Sequence, residues 1–432
     1  MINMPEHIVV ISLDALGTQD FEKLKATPGF RYLIENGTYC DEVVSVCPSL
    51  TYPAHVSIAT GKLPRNHGII NNTKIQPDYD QPEWYWYSKD IHGETIWDIA
   101  HKMKKSVASL LWPVTGRSNI KYNLPEIFPV RGYQTQLSQV LHAGTPAYCL
   151  ELDRKFGHLR NGVKEPWLDH FVHASAKYTF EKYQPYLTLV HYVDLDSMRH
   201  HHGFDSKEAN HAILRHGERI ADWVDFLRES GQLEKTVVIV LGDHNHKPVS
   251  KVIRPNVFLH KLGLLSMIEN DILDWKAYFK SCDGSGYIYV DKRHPEVVEL
   301  LRDNLMVLSA YEANGIQNFM DGPTAASRGA DPNCTFMLCA REGYYFDESP
   351  VGEFIEDVSD DPTLHKSCHG YEPHIPNYNT VFLMSGPGIQ KGHRIKSMNL
   401  IDEGPTIAKL MGSSLWGVDG RVRYDFFSDI LP

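Results

Sequence analysis

The sequence predicts an α/β sandwich with a mostly parallel central sheet and a small inserted α+β lobe. Three observations carry this reading. Short apolar, β-branched runs recur along the chain. They are hydrophobic throughout rather than alternating, as suits strands buried on both faces. Helix-like segments lie between them, and regular alternation of strand and helix places helices on a mostly parallel sheet.

In order, strands are expected at 7–13, 105–112, 186–193, 236–241 and 380–385, each succeeded by a polar or Gly-containing turn. Helices are expected at 20–36, 50–60, 95–104, 166–183, 207–230 and 403–411. The pattern changes from about 249 to 362: a strand at 285–290, a helix at 295–304, Gly- and Pro-rich turns over 322–332 and a strand at 335–340. This reads as a lobe, 249–362, inserted between core segments 1–248 and 363–432. A second irregular region, 73–95, contains Trp84, Tyr85, Trp86 and Tyr87, which read as an aromatic packing cluster.

The 432 residues, 42% hydrophobic and 22% charged, are those of a chain that folds around a core. A formal charge of −11 with no basic run argues against a nucleic-acid polymer as partner. An acidic protein that handles phosphate needs local positive charge, which bound metal ions supply, and 23 His residues offer ligands. The N-terminal apolar run is short and ends at Asp14, without the pattern of a signal peptide. No run has the ~20 apolar residues of a membrane helix, so no membrane partner and a cytoplasmic location are expected. Seven scattered Cys lack metal or disulfide spacing and read as buried thiols.

The residues just past the strand ends carry the chemistry. Asp14 comes after the first run, Asp196 after the third, and Asp243 with His244 after the fourth. In open α/β sheets ligands collect beyond the carboxyl ends of the strands, so these residues are expected in one crevice. Alone, Asp14 is equally a turn residue. Thr51, in PSLTYPAHVSIATGKLPRNHGIINN, is equally a helix cap or a nucleophile facing anionic oxygen at a helix start. Asp196 and His200 have DxxxH spacing, able to converge on one metal from one helical turn; the adjacent His201 and His202 read as solvent-facing. In VVIVLGDHNH the pair Asp243 and His244 does not suit a strand interior, whereas His246 and His374 read as loop or supporting residues.

Taken together, Asp14, Thr51, Asn72, Asp196, His200, Asp243, His244 and the HGY at 369–371 resemble the alkaline phosphatase superfamily, specifically its nucleotide pyrophosphatase/phosphodiesterase branch. The resemblance spans nearly the whole chain and implies an alkaline-phosphatase-like three-layer sandwich. It implies Thr51 as nucleophile and Asn72 as a substrate-binding residue. It assigns Asp196, His200 and His369 to one metal and Asp14, Asp243, His244 and Thr51 to a second, the usual ion being zinc. It also implies that Tyr52 stacks on a nucleobase, though the ring is equally suited to a core position. The implied activity is hydrolysis of phosphodiester or pyrophosphate bonds in a small, nucleotide-type substrate through a phosphothreonine intermediate. Asn245 stands where a Gly often comes after the Asp-His pair, and Leu50 and Ala54 stand where Lys and Asn are frequent; these departures bear on the substrate, not on the ligands.

Sulfatases share the fold, but Cys47 is followed directly by Pro48 and the required Cys/Ser-x-Pro-x-Arg frame is absent. A phosphonoacetate-hydrolase-like phosphonatase remains open. A phosphomonoesterase is disfavoured because no Arg clamp for a dianionic phosphate is evident. A silent metal- or ligand-binding module is disfavoured because metal binding alone does not require Asn72.

Overall fold

The computed structural model describes residues 4–79, 81–359 and 361–428. Small parts of the expected segments, at 1–3, 80, 360 and 429–432, lie outside the described residues.

Six strands come first: β1 His7–Leu13, β2 Gly37–Val44, β3 Val107–Leu110, β4 Tyr122–Leu124, β5 Leu187–Tyr192 and β6 Thr236–Leu241. Next come β7 Lys247–Ile253, β8 Leu265–Ile268, β9 Asp271–Trp275, β10 Ala277–Cys282, β11 Ser285–Val290, β12 Ile316–Asp321 and β13 Phe336–Ala340. The last are β14 Gly343–Phe346, β15 Ile355–Asp357, β16 Ser367–Cys368, β17 Thr380–Ser385, β18 His393–Ile395 and β19 Met398–Asn399.

Nine strands form the central sheet in the order β18-β2-β17-β6-β1-β5-β3-β4, with β19 also paired to β2. All run parallel except β17, which is antiparallel to both β2 and β6. Strand side chains alternate between faces. Ile8, Val10 and Ile239 join Ala54, Ile58, Trp97, Ile407 and Leu410 on one face. Val9, Ile11 and Val240 join Phe30, Phe171, Phe180, Ile220 and Trp223 on the other. The helices Thr51–Thr60, Ile96–Lys102 and Glu403–Leu410 thus cover one side, and Pro28–Glu35, Trp167–Tyr183 and Lys207–Glu229 the other. This is the expected three-layer sandwich.

Two expectations are corrected. The segment 20–36 is two helices, Thr18–Leu24 and Pro28–Glu35, because Pro28 has no N–H to donate and fits only the first turn of a new helix. The strand β2 and the helices Gln136–Ala143 and Pro146–Phe156 were not expected. In β2 the polar Thr38, Asp41 and Glu42 break the apolar run that marks the other sheet strands.

The lobe carries a four-stranded antiparallel sheet, β10-β11-β13-β12, and the helix Val297–Ala310. Phe279, Ile288, Leu301, Phe336 and Leu338 form a separate core there. β7 pairs with β14, β15 and β16 and so ties the lobe to the segment that leads into His369. Because β1, β5 and β6 are parallel neighbours, their carboxyl ends open at the same edge of the sheet, where the site forms.

Candidate active site

Thr51 is the first residue of the helix Thr51–Thr60, and the cap position is Leu50. The capping alternative therefore fails: the Thr51 hydroxyl bonds no helix N–H, and its Oγ1 lies 3.2 Å from Nε2 of His244. His55, one turn along the same helix, fixes the Thr51 backbone by donating from Nδ1 to the Thr51 carbonyl at 2.8 Å. Its Nε2 meets the Ser12 hydroxyl at 2.9 Å. Asn72 accepts the Tyr52 N–H at 2.9 Å through its carboxamide oxygen, which orients the amide, and the residue lines the cavity beside Thr51.

The expected acidic and His residues come together in two adjoining clusters. Asp14, Asp243 and His244 place their donor atoms within 4.8 Å of one another. His244 Nε2 lies 3.3 Å from Asp14 Oδ1 and 3.2 Å from Asp243 Oδ2. Asp196, His200 and His369 form the second cluster together with His246, also within 4.8 Å. His200 and His369 approach Asp196 Oδ1 to 3.4 and 3.8 Å. The helix Asp194–His202 sets Asp196 and His200 on the same face, one turn apart. Stacked rings of His244 and His369, 4.0 Å between centroids, join the two clusters.

The donor set fits divalent cations on physical grounds. Asp14 Oδ1, Asp243 Oδ2 and His244 Nδ1 are buried without a hydrogen-bond partner. Buried carboxylates with nothing to neutralise them are expensive, and a bound cation removes that cost. The titration pattern says the same: burial, with Asp196 adding repulsion, pushes Asp14 up to about 7. Burial, joined by the repulsion of Asp14, holds Asp243 well above the carboxylate range. Burial keeps His244 and His369 neutral, the form in which imidazole ligates metal. Burial acts against ionised Asp196, but His200 and His246 outweigh it and hold its carboxyl well below the usual range.

Tyr52 is corrected. Its ring is fully buried in a cluster with Val56, Ile69 and Trp86, with Trp84 edge-on at 5.2 Å, and offers no stacking face. The aromatic wall of the cavity is instead Trp84 and Phe128, 5.1 Å apart in T-shaped contact. The 84–87 run is thus partly a packing cluster, as expected, but Trp84 reaches the cavity. His201 and His202 are exposed, and so is His374.

Three residues near the clusters went unassigned in the sequence. His246, read as a supporting residue, is fully buried with Nε2 2.7 Å from Asp196 Oδ1; its spacing of two from His244 is the only sequence signal. His191, on β5, places Nε2 3.1 Å from Asp14 Oδ2 and Nδ1 3.5 Å from Glu126 Oε2. Burial disfavours its charged form, but Asp14 and Glu126 outweigh burial and raise its pKa. Asp283, in the Asp-Gly turn between β10 and β11, lies 3.7 Å from His369 Nε2, and burial pushes its carboxyl up to about 6. A His inside an apolar strand and an Asp in a hairpin turn both have ordinary structural roles, so neither stood out.

Asp14, Thr51, Asn72, Asp196, His200 and His369 line a cavity of about 740 Å³. Its lining includes Trp84 and Phe128 with Glu126, and Asp283, Phe346 and Asp347 from the lobe. Asn245 accepts the His246 N–H and donates to Gln19 and to the Asn379 carbonyl. It fits because Gly17 has no side chain: a Cβ there would come within 2.2 Å of the Asn245 amide.

Comparison with known proteins agrees with this geometry. The profile of the type I phosphodiesterase / nucleotide pyrophosphatase family matches residues 8–372. The bovine (Bos taurus) bis(5'-adenosyl)-triphosphatase ENPP4 is 22% identical over 430 residues, covering 94% of this chain and 78% of that protein. The structure of human ectonucleotide pyrophosphatase/phosphodiesterase 5 superposes with a TM-score of 0.69 at 19% identity, covering 98% of this chain and 100% of the other. The murine enzyme of the same name, an inactive threonine-to-alanine variant in complex with AMP, superposes with a TM-score of 0.68 at 18% identity over 96% and 97% of the two chains. The chain therefore belongs to the type I phosphodiesterase / nucleotide pyrophosphatase family of the alkaline phosphatase superfamily and is an enzyme that hydrolyses phosphodiester or pyrophosphate bonds.

Proposed function

We propose that the chain cleaves a phosphodiester or pyrophosphate bond by attack of the Thr51 hydroxyl on phosphorus, with phosphothreonine at position 51 as the intermediate. The observation that carries this is Thr51 itself: a hydroxyl at a helix start, not used as a cap, 3.2 Å from His244 of one of the two adjoining clusters of carboxylate and His side chains. Asp196, His200 and His369 would hold one divalent cation and Asp14, Asp243, His244 and Thr51 another, with His246 bracing Asp196 or joining the first set. Two such cations, zinc being the ion best suited to mixed imidazole and carboxylate donors, would supply Lewis acidity that lowers the Thr51 pKa and neutralises charge at phosphorus.

The chain's own groups do the rest. Thr51 Oγ1 forms the new P–O bond as the alcohol or phosphate leaving group departs, and a water later cleaves the threonyl ester to restore the hydroxyl. Asn72 presents its amide to a non-bridging oxygen, with its own oxygen already engaged by Tyr52 N–H. The aromatic wall of Trp84 and Phe128 offers a surface for a nucleoside or another planar group, in line with the nucleotide found on the murine structural neighbour. A phosphonatase or monoesterase on the same residues has no separate observation in its favour.

All seven cysteines are buried and unpaired, which supports a reducing, cytoplasmic setting as part of this proposal. No helix among the described residues is long and apolar enough to cross a membrane.

The test is the Thr51→Ala variant with bis(p-nitrophenyl) phosphate on metal-replete protein. A loss of at least about 10³-fold in kcat, with unchanged thermal unfolding and close to two metal equivalents in the wild type, is expected. Undiminished turnover in Thr51→Ala would refute the nucleophile, and full activity in metal-free protein would refute the cations.

A further inference from the structure

Resting on the two-cation reading above, the segment directly after β6 serves both clusters. Asp243 and His244 belong with Asp14. His246, two residues on, turns to the other cluster, where its donor atom lies within 4.8 Å of those of Asp196, His200 and His369. Three imidazoles surround one carboxylate oxygen there: Nε2 of His246, His200 and His369 stands 2.7, 3.4 and 3.8 Å from Asp196 Oδ1. Their ring centroids are nearly equidistant, at 4.7, 5.0 and 5.1 Å.

A hydrogen bond from His246 to Asp196 would account for the shortest of these distances, but the other side of the ring argues against it. Nδ1 of His246 lies 3.2 Å from the Ser367 hydroxyl. That hydroxyl gives its only proton to the Lys247 carbonyl, at 3.0 Å, so it can only accept from His246. In the neutral ring the proton is therefore on Nδ1, and Nε2 turns a bare lone pair to a carboxylate oxygen at 2.7 Å. Two acceptors at that distance repel, and a divalent cation facing both removes the repulsion. An imidazole whose one nitrogen donates to a protein oxygen while the other is left free is arranged as a metal ligand. His369 is set the same way, with Nδ1 3.3 Å from the Ser49 carbonyl.

Two features hold His246 in this place. β7 begins at Lys247 and pairs Lys247 with Cys368 and Pro248 with Ser367, in the ladder that leads into His369. Asn245 accepts the His246 N–H at 2.8 Å and is itself tied to Gln19 and the Asn379 carbonyl.

We propose that His246 is the fourth protein ligand of the cation held by Asp196, His200 and His369. Residues 243–246 then grip both cations, and the one with three imidazoles and a carboxylate is retained more tightly than the one at Asp14, Asp243 and His244.

The test separates a ligand from a brace with two substitutions, read by zinc affinity rather than turnover. Gln can still donate a hydrogen bond to Asp196 but is a poor zinc ligand; ionised Glu binds zinc but has no proton to donate. Zinc is titrated into chelator-stripped wild type, His246→Gln and His246→Glu against a chromophoric chelator. The wild type is expected to bind zinc in a tight step and a weaker one. His246→Gln should weaken the tight step by at least about 10²-fold and leave the weaker one, whereas His246→Glu should stay within about tenfold of wild type. On wild type carrying one zinc equivalent, X-ray absorption should count the three imidazoles of His200, His246 and His369. A Gln variant that binds as wild type does, a Glu variant that loses as much as Gln, or a count of fewer than three imidazoles overturns the ligand role and leaves the two-cation reading standing. If the stripped wild type takes up no zinc, both fall.

Discussion

Thr51 and Asn72 owe their proposed roles to what each side chain does not do. Thr51 leaves the helix uncapped, and Asn72 uses its oxygen on Tyr52 N–H so that the NH2 end is the part left for a ligand. Removing that donor by Asn72→Ala is expected to lower kcat by about 10²-fold, the usual cost of losing one donor to a developing negative charge. A change confined to KM would show that Asn72 only binds the ground state. Tyr52 teaches the opposite lesson: the residue next to the proposed nucleophile in sequence is carried by the helix into the core, where it is fully buried. Neighbourhood in sequence fixed its place on the helix but not the direction of its ring.

At the scale of elements, the helix Asp194–His202 must be held rigidly because it carries both Asp196 and His200. Its N-terminus is not capped locally. Asp169, from the helix Trp167–Tyr183, accepts the N–H groups of Val193 and Asp194 at 3.0 and 3.3 Å. Arg219, from the helix Lys207–Glu229, bridges Asp169 and Asp194 at 3.1 and 3.2 Å, and Arg215 grips Asp194 at 2.6 Å. Three helices therefore meet in one buried polar network. Asp169→Ala is expected to destabilise the fold by roughly 2 kcal/mol or more, since it removes one of the two carboxylates that Arg219 bridges and leaves two N–H groups unpaired. Equilibrium denaturation measures this, and metal content should fall in parallel; a neutral effect on both would mean the network is dispensable.

Glu165 sits at the edge of the same network, where burial, then the charges of Asp169 and Asp194, push its carboxyl up to about 10. The sign comes from linkage. The folded state holds the proton more tightly than the unfolded state, so stability from this group is full below about 4.5 and is lost as pH rises towards the folded value. Glu165→Gln keeps the acceptor for the Asp169 N–H without the titration. Its stability relative to wild type should therefore rise by at least about 1 kcal/mol between pH 5 and 9, read by thermal unfolding across the range. A difference that does not change with pH would mean Glu165 titrates normally.

For the whole molecule, the two clusters join β1, β6, the helix Asp194–His202 and the segment after β16, so bound cations would cross-link distant parts of the chain. Without them, Asp14 is pushed up to about 7 and Asp243 is held well above the carboxylate range, so the metal-free protein should lose stability as pH rises from about 4 to 7. Metal affinity moves the other way, because protons and cations compete for the same ligands. The gap in Tm between zinc-loaded and chelator-treated protein is thus expected to widen between pH 5 and 8. A gap that stays constant or narrows would argue that these side chains do not share a cation.

The sequence by itself determined five of the nine strands of the central sheet, β1, β3, β5, β6 and β17, because a strand buried on both faces must be apolar throughout and these runs are too short for a buried helix. It also pointed Asp14, Asp196, Asp243 and His244 to one crevice, because they come directly after such strands and so stand at the carboxyl edge of the sheet; the grouping of these residues with His200 and His369 into two sets came from the family resemblance. Only the tertiary structure decided the direction of β17, the placement of β2 and the residues that complete the site from elsewhere. His191 lies inside an apolar strand, His246 enters the cluster around Asp196, and Asp283 and Asp347 arrive on the lobe. Trp84 replaces Tyr52 on the cavity wall. Each of these depends on a meeting of segments far apart in the chain, and local patterns record the backbone's preference for helix or strand, not which distant side chain will stand opposite.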